Sequence, residues 1–344
     1  MARGGPAVQA SIGPFIPSFP LVLFTTPHPP MLSIQRILFP TDFSDGARRA
    51  FPQAAHLADW HDAGLHILNV TGRHRHDHEE TTANFPIATD TLTKWLRRPE
   101  KSVRGANWPD LEALPITQEQ VESAEPAERI LAYAEDEAID LIVMGTHGRR
   151  GVDRMLFGSV TEEVVRKAPC PTLTVRADAD VAPDQAVRRV LAPVDFSDAS
   201  RSAVRHAKEI ALTYGAEIDL LHVVEEPFYP PAYGLGETGF PTDKVIGSVE
   251  DELADLARSE VGYEHVMIEA RTGEPSREIL NYIDENEVDL TVIASHGRTG
   301  LDRMLIGSVA ERVVRQSPTP VFVAKPDRAA LVSSDAAEAA SARD

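Results

Sequence analysis

The sequence predicts an α/β protein of two tandem doubly wound domains, each with a roughly five-stranded parallel sheet flanked by helices. Three observations predict it. The stretch GTHGRRGVDRMLFGSV (145–160) returns as ASHGRTGLDRMLIGSV (294–309), and from His147 to Val160 the copies agree at eleven of fourteen positions. RILFPTDFSD (36–45) returns as RVLAPVDFSD (189–198). Between these markers, short apolar runs alternate with helix-length amphipathic stretches in the same order in both halves, the pattern of βαβ units.

The apolar run before Asp42 reads as a first strand, and so does its counterpart before Asp195. Each feeds a helix, about 45–60 and 198–213, for which Ser44 and Ser197 are good N-caps. Pro52 should kink the first of these, because it removes a helical N–H and crowds the preceding turn. LHILNV (65–70) and IDLLHVV (218–224) are second strands. EPAERILAYAEDEAIDLIVMG (125–145) and EPSREILNYIDENEVDLTVIA (274–294) each give a helix followed by a strand. After a further helix, PCPTLTV (169–175) and PTPVFVA (318–324) supply the last strands. The middles differ: 71–119 is polar and His-rich, whereas the second half carries EEPFYPPAYGLGETGFP and then a helix at about 242–260. Domain 1 is placed at 31–176, a linker at 177–187 and domain 2 at 188–325.

Residues 1–30 hold six prolines after Ile12 and a single charge, Arg3; they read as a disordered extension, with Met31 an alternative start. Residues 326–344 lack apolar periodicity and read as a loose tail. A formal charge of -19 argues against a protein that grips nucleic-acid backbones. No uninterrupted apolar run is long enough to span a bilayer. Cys170 is the only cysteine, which excludes an intrachain disulfide and a thiolate metal cluster and fits a reducing, cytoplasmic setting.

Both repeated markers lie at strand carboxyl ends, where an open parallel sheet binds ligands at the point of strand-order reversal. Glycines there let backbone N–H groups approach an anion, and Gly158-Ser159 opens a helix whose N-terminus favours phosphate. The spacing is neither Walker A nor Gly-x-Gly-x-x-Gly, and no lysine lies in either loop. A plainer account also exists. Ser159 with Glu162 and Ser308 with Glu311 match Ser-x-x-Glu capping boxes, and glycines at strand ends often only make turns. The repetition of the loop together with the aspartate favours a ligand site.

Gly-x2-Gly, nine residues, then Gly-Ser, late in an α/β unit that opens on a Pro-x-Asp-Phe-Ser turn, resembles the universal stress protein family. The resemblance covers about 33–176 and 187–325. Members of that family either bind ATP through this loop or lack the loop. The resemblance therefore implies ATP, with or without Mg2+, as ligand. It sets Gly145, Gly148, Gly158 and Ser159 around the phosphates and ribose, and Asp42 and the backbone of Val70 at the adenine. In the second half the matching positions are Asp195, Val223, Gly297, Gly307 and Ser308. Two positions depart: Ala294 stands where the first glycine should be, and Ala124 where the other half has Gly273. A glycine at the first position can take positive φ and shows no Cβ to a ligand, so the second site is expected to be the weaker. The resemblance further implies that the last strands, about 171–176 and 320–325, pair to close an intrachain pseudo-twofold dimer.

The function expected on these grounds is adenine-nucleotide binding with a regulatory role in the stress response, no catalytic or metal-ligating residues, and no nucleic-acid or membrane partner. A slow ATPase or nucleotidyl transferase on the same loop is the alternative, and a nucleotide-free interaction module the second. A further homodimer and the protein partner are left open. His147 and His296 read as packing or hydrogen-bonding residues; Arg149, Arg154, Arg298 and Arg303 could reach phosphate but equally suit solvent or salt bridges. RHRHDHEE (73–80), with His74, His76 and His78, reads as a solvated loop rather than a metal site.

Overall fold

Repetition of the βα pattern carries through to the architecture. The computed structural model describes residues 34–72, 85–96, 109–146, 158–176, 187–225, 242–262, 265–297 and 306–325, all within one compact unit, Met31–Asp344. The first half runs β1 (Arg36–Pro40), α1 (Asp45–Trp60), β2 (Gly64–Thr71), α2 (Thr89–Leu96), β3 (Ile116–Glu122), α3 (Pro126–Asp136), β4 (Leu141–Gly145), α4 (Ser159–Lys167) and β5 (Thr172–Val175). The second runs β6 (Arg189–Pro193), α5 (Asp198–Tyr214), β7 (Glu217–Val224), α6 (Thr242–Leu256) with a π-helical continuation (Ala257–Val261), β8 (Val266–Thr272), α7 (Pro275–Glu285), β9 (Leu290–Ala294), α8 (Ser308–Gln316) and β10 (Val321–Ala324).

The strands form one ten-stranded sheet in the order β3-β2-β1-β4-β5-β10-β9-β6-β7-β8. Each half contributes five parallel strands, and the halves join where β5 runs antiparallel to β10, with Phe322 opposite Leu173. Each of these strands would otherwise present an unpaired edge. One apolar core on a single face of the sheet runs through both halves, from Phe39 and Phe51 to Val204 and Phe322. The other face has two smaller clusters, under α3 and α4 and under α7 and α8. Cations reinforce the seam reciprocally. Lys325 Nζ donates to Val165 O at 2.6 Å and Arg166 O at 2.9 Å, at the carboxyl end of α4. Arg176 donates to Gln316 O at the end of α8. Positive charge at a helix carboxyl end meets the orphan carbonyls and the dipole together.

Ser44 and Ser197 cap α1 and α5, accepting from Ala47 N and Ser200 N. α1 runs unbroken through a buried Pro52. Packing on the adjacent turn, where Phe51 meets Phe39 and Trp95 edge-on at 5.4 Å and 5.6 Å, offsets the missing bond. The third strands, ITQEQVE and VMIEART, were not legible as such: they lie at the two ends of the sheet and are only partly buried, which leaves little apolar alternation. Likewise α2 falls within the stretch read as polar, yet Leu92 and Leu96 are buried. Residues 1–33, the His-rich 73–80, most of the linker and the 326–344 tail lie outside the described residues.

Candidate functional site

In each half the strand order reverses between the first and fourth strands: β1 pairs with β4, and β6 with β9. The crevice beyond their carboxyl ends has the Asp-Phe-Ser turn on one side and the described ends of the glycine loop on the other. Asp42 Oδ1 accepts from Ser44 N, and Asp195 Oδ1 from Ser197 N, both at 3.0 Å, while Ser197 Oγ donates to the same oxygen at 2.6 Å. These side-chain turns hold Phe43 and Phe196 at φ of 64° and 62°, a left-handed conformation that costs such a residue about 1–2 kcal/mol.

Val70 and Val223 are placed by strand periodicity. Leu68 O accepts from Thr41 N and Leu221 O from Val194 N, each at 2.8 Å, so these β2 and β7 residues turn their main-chain groups toward β1 and β6. Two residues further on, Val70 and Val223 turn theirs the same way, but β1 and β6 have ended at Pro40 and Pro193. Their backbones therefore face the crevice beside the aspartates.

The described ends of each glycine loop are bonded to one another. Gly158 N donates to Thr146 O at 3.0 Å, and Gly307 N to Ser295 O at 2.8 Å. In the second half the loop abuts the turn: a Cβ on Gly297 would stand 2.6 Å from Asp195 Oδ2. The sequence-predicted residues of the second crevice are thus brought together. Gly148, His147, Arg149, Arg154, Arg298 and Arg303 lie outside the described residues. His296 is held by its neighbour, with Ser295 Oγ 2.8 Å from Nδ1.

Two expectations change, and the plainer account of the serines falls away. The capping boxes do not form: Gly158 and Gly307 occupy the N-caps of α4 and α8 without any side-chain cap, and Ser159 and Ser308 are the first helical residues. A backbone bond ties each glycine to the preceding strand end, and the helix starts one residue earlier than a serine cap would set it. Gly145 does not use the backbone freedom expected of it. Its φ is not positive, the positive-φ glycines among the described residues being Gly215, Gly262 and Gly273. A Cβ there would stand 2.6 Å from Gly46 C and O, the backbone of α1, rather than facing a ligand. Thr161 Oγ1 holds its carbonyl at 2.9 Å. Ala294, its counterpart, is 7% exposed and joins the core. Finally, Ala124 is accommodated where Gly273 needs φ of 145°: Gly273 lies against Glu278, whose place is taken in the first half by Arg129, turned to Glu119 and Asp136.

A family model described as the universal stress protein family matches residues 33–176 and again 186–325. The chain belongs to the universal stress protein family. A universal stress protein of Methanocaldococcus jannaschii is 35% identical over 140 residues, covering 40% of this chain and 82% of the relative. One of Mycobacterium bovis is 30% identical over 188 residues, covering 54% of this chain and 62% of that protein. The crystal structure of a universal stress protein from Archaeoglobus fulgidus superposes with a TM-score of 0.58 at 22% identity, covering 85% of this chain and 98% of that one. Membership supports a stress-response role, and the match to a tandem pair of family domains agrees with the two-half sheet.

In the second universal stress domain an ion pair ties the start of α7 to the middle of α8. Glu274, at the N-cap of α7, accepts from Ser276 Oγ, from Arg277 N at 2.9 Å and from Arg312 of α8 at 2.9 Å. Burial pushes its carboxyl up, but the Ser276 and Arg277 bonds and the Arg312 charge bring it below the usual range. Among the described residues no group of three His, Cys, Asp or Glu side chains is placed to hold a metal ion, and no helix is long and apolar enough to cross a membrane.

Proposed function

We propose that each half binds one adenine nucleotide, ATP foremost, and that the protein acts in the stress response as a binding protein with little or no turnover. The observation that carries this reading is the pair of uncapped helix starts. In both halves a glycine N-cap leaves α4 or α8 without a side-chain partner at the mouth of the switch-point crevice, an arrangement suited to phosphate. Asp42 with the Val70 backbone, and Asp195 with the Val223 backbone, stand on the far side, where a base would lie. Gly148, Gly158 and Ser159 then attend the phosphates of the first site, and Gly297, Gly307 and Ser308 those of the second. Gly145 serves the first site indirectly, by letting α1 and its Asp-bearing turn approach β4. The two sites need not differ through the Gly145–Ala294 exchange, because neither position turns a side chain to the ligand.

The test is mass spectrometry of whatever copurifies with the full chain, followed by ATP titration and a product assay under turnover. Bound adenine nucleotide, and up to two equivalents lost stepwise in Asp42→Ala and Asp195→Ala, is the expected outcome. Steady product release would replace this reading with a slow ATPase. No bound nucleotide and no titration would leave an interaction module.

A further inference from the structure

Asp42 and Asp195 each sit in a turn that an L-residue backbone resists, and such turns persist only where their surroundings hold them. The residue before each aspartate is gripped at both ends. Thr41 N and Val194 N donate into β2 and β7 at 2.8 Å. Thr41 O accepts from Asn69 Nδ2 at 2.7 Å, and Val194 O accepts from His222 Nδ1 at 2.7 Å. A carbonyl only accepts, so His222 carries its proton on Nδ1. The peptide is planar, so fixing the carbonyl of Thr41 or Val194 fixes the amide of the aspartate that follows and the direction in which the turn leaves the strand.

Asn69 and His222 occupy one position of the repeat, immediately before Val70 and Val223. Two side chains of different chemistry reach the same carbonyl from it. Their outer supports also differ. Gln120 Nε2 donates to Asn69 Oδ1 at 2.8 Å; Ala270 stands opposite His222 in the corresponding register and offers nothing comparable. There the imidazole instead lies 4.8 Å from the ring of Phe196, the left-handed residue itself. Asp195, so placed, abuts Gly297 of the glycine loop. The contact runs unbroken from β7, through the turn, to the loop.

We propose that Asn69 and His222 are positioning residues that act through the Thr41 and Val194 carbonyls to hold Asp42 and Asp195 in their binding geometry, Asn69 with help from Gln120 and His222 by packing on Phe196. The ligand part of this proposal rests on the nucleotide reading above; the turn-holding part does not.

The test uses the full chain in an Asp42→Ala background, so that the second site is read alone. It compares His222→Leu with His222→Asn/Ala270→Gln, which transplants the first half's arrangement. Amide hydrogen exchange over 194–198 is measured without nucleotide, and affinity by ATP titration. His222→Leu should speed exchange in the turn and weaken ATP each by about tenfold, the loss of one net hydrogen bond, and the double variant should recover most of both. Unchanged exchange in His222→Leu, or a double variant that behaves like it, overturns the proposal. A loosened turn with unaltered ATP affinity overturns the link from turn to ligand. If the parent chain takes up no ATP at either site, the nucleotide reading fails, while the exchange arm still decides whether His222 holds the turn. Should His222→Leu not fold, Gln120→Ala in the wild-type chain is the milder arm: exchange over 41–45 should rise, and its failure to do so counts against the proposal.

Discussion

The two halves reach one backbone with different side chains, and the places where they differ separate what the fold needs from what a sequence happens to use. At the end of the fourth strand the first half has Gly145 and the second Ala294. The difference tracks the helix packed behind the strand: α1 brings the backbone of Gly46 against Gly145, while Ala294 fits its methyl into the core under α5. The glycine is a packing requirement of one half. At the seam, Lys325 and Arg176 hold matching helix ends, but Lys325 is 8% exposed and Arg176 lies nearer solvent. A shared geometry therefore rests on unequal energies, and substitutions at matching positions should have unequal effects.

The largest expected effect is at the seam. Lys325→Met leaves two carbonyls at the end of α4 without their charged donor in a buried place, and should cost about 2–4 kcal/mol. Arg176→Met, at the more exposed end, should cost about 0.5 kcal/mol. Urea denaturation of the two variants decides it, and equal losses would show that burial at the seam does not set the energies. Next is the strand-end exchange. Gly145→Ala drives a methyl into the α1 backbone and should lose about 1–3 kcal/mol, whereas Ala294→Gly should lose about 0.5–1 kcal/mol from chain entropy and a small void. If Gly145→Ala weakens ATP without lowering the melting temperature, the glycine belongs to the ligand after all.

The first two strands, the fourth and fifth, and the α1 and α5 caps were legible because a buried parallel strand is apolar throughout and a Ser just before an amphipathic run is a good N-cap. β3 and β8 were not, since end strands such as ITQEQVE need to bury only part of one face. The candidate site was legible only as a combination: neither the glycines nor Asp42 alone would have marked it. What the glycines do was less legible, because a sequence gives no distance between Gly145 and Gly46, and a left-handed Phe43 leaves no trace in composition. The plainer account of the serine in each Gly-Ser pair fails for a related reason. Ser-x-x-Glu fits a capping box, but the preceding glycine's bond to the strand end decides where the helix starts. Asn69 and His222 could have been noticed as polar residues interrupting apolar strands at the same place in both halves.

The smallest effect to seek is a pH dependence of opposite sign in the two halves. Matching positions near the start of the second strand hold His66 and Asp219, beside Tyr133 and Tyr282. His66 Nδ1 is 3.0 Å from Tyr133 Oη, and burial lowers its pKa from 6.5, with Glu137 and Glu119 opposing and Arg36 assisting. Asp219 is 1% exposed, and burial raises its carboxyl above 3.8, with Tyr282 and Arg189 opposing. Burial favours the neutral form in both. For His66 the unfolded chain takes up a proton first, so its contribution is complete above about 6.5 and is lost as pH falls below that value through its lowered folded pKa. For Asp219 the folded chain binds the proton first, so its contribution is present below 3.8 and lost as pH rises through its raised folded pKa. Replacing His66 with Gln should flatten the decline of stability on acidification from about pH 7.5 to about pH 5.5. Asp219→Asn, isosteric and neutral, should match or exceed the wild type at about pH 7.5, with the advantage shrinking towards pH 4. Urea midpoints across this range for the wild type and both variants are the measurement. An Asp219→Asn variant that is less stable at neutral pH, by the same margin at every pH, would mean that the carboxylate's attraction to Arg189 outweighs its burial and that the two halves do not share the preference for a neutral group here.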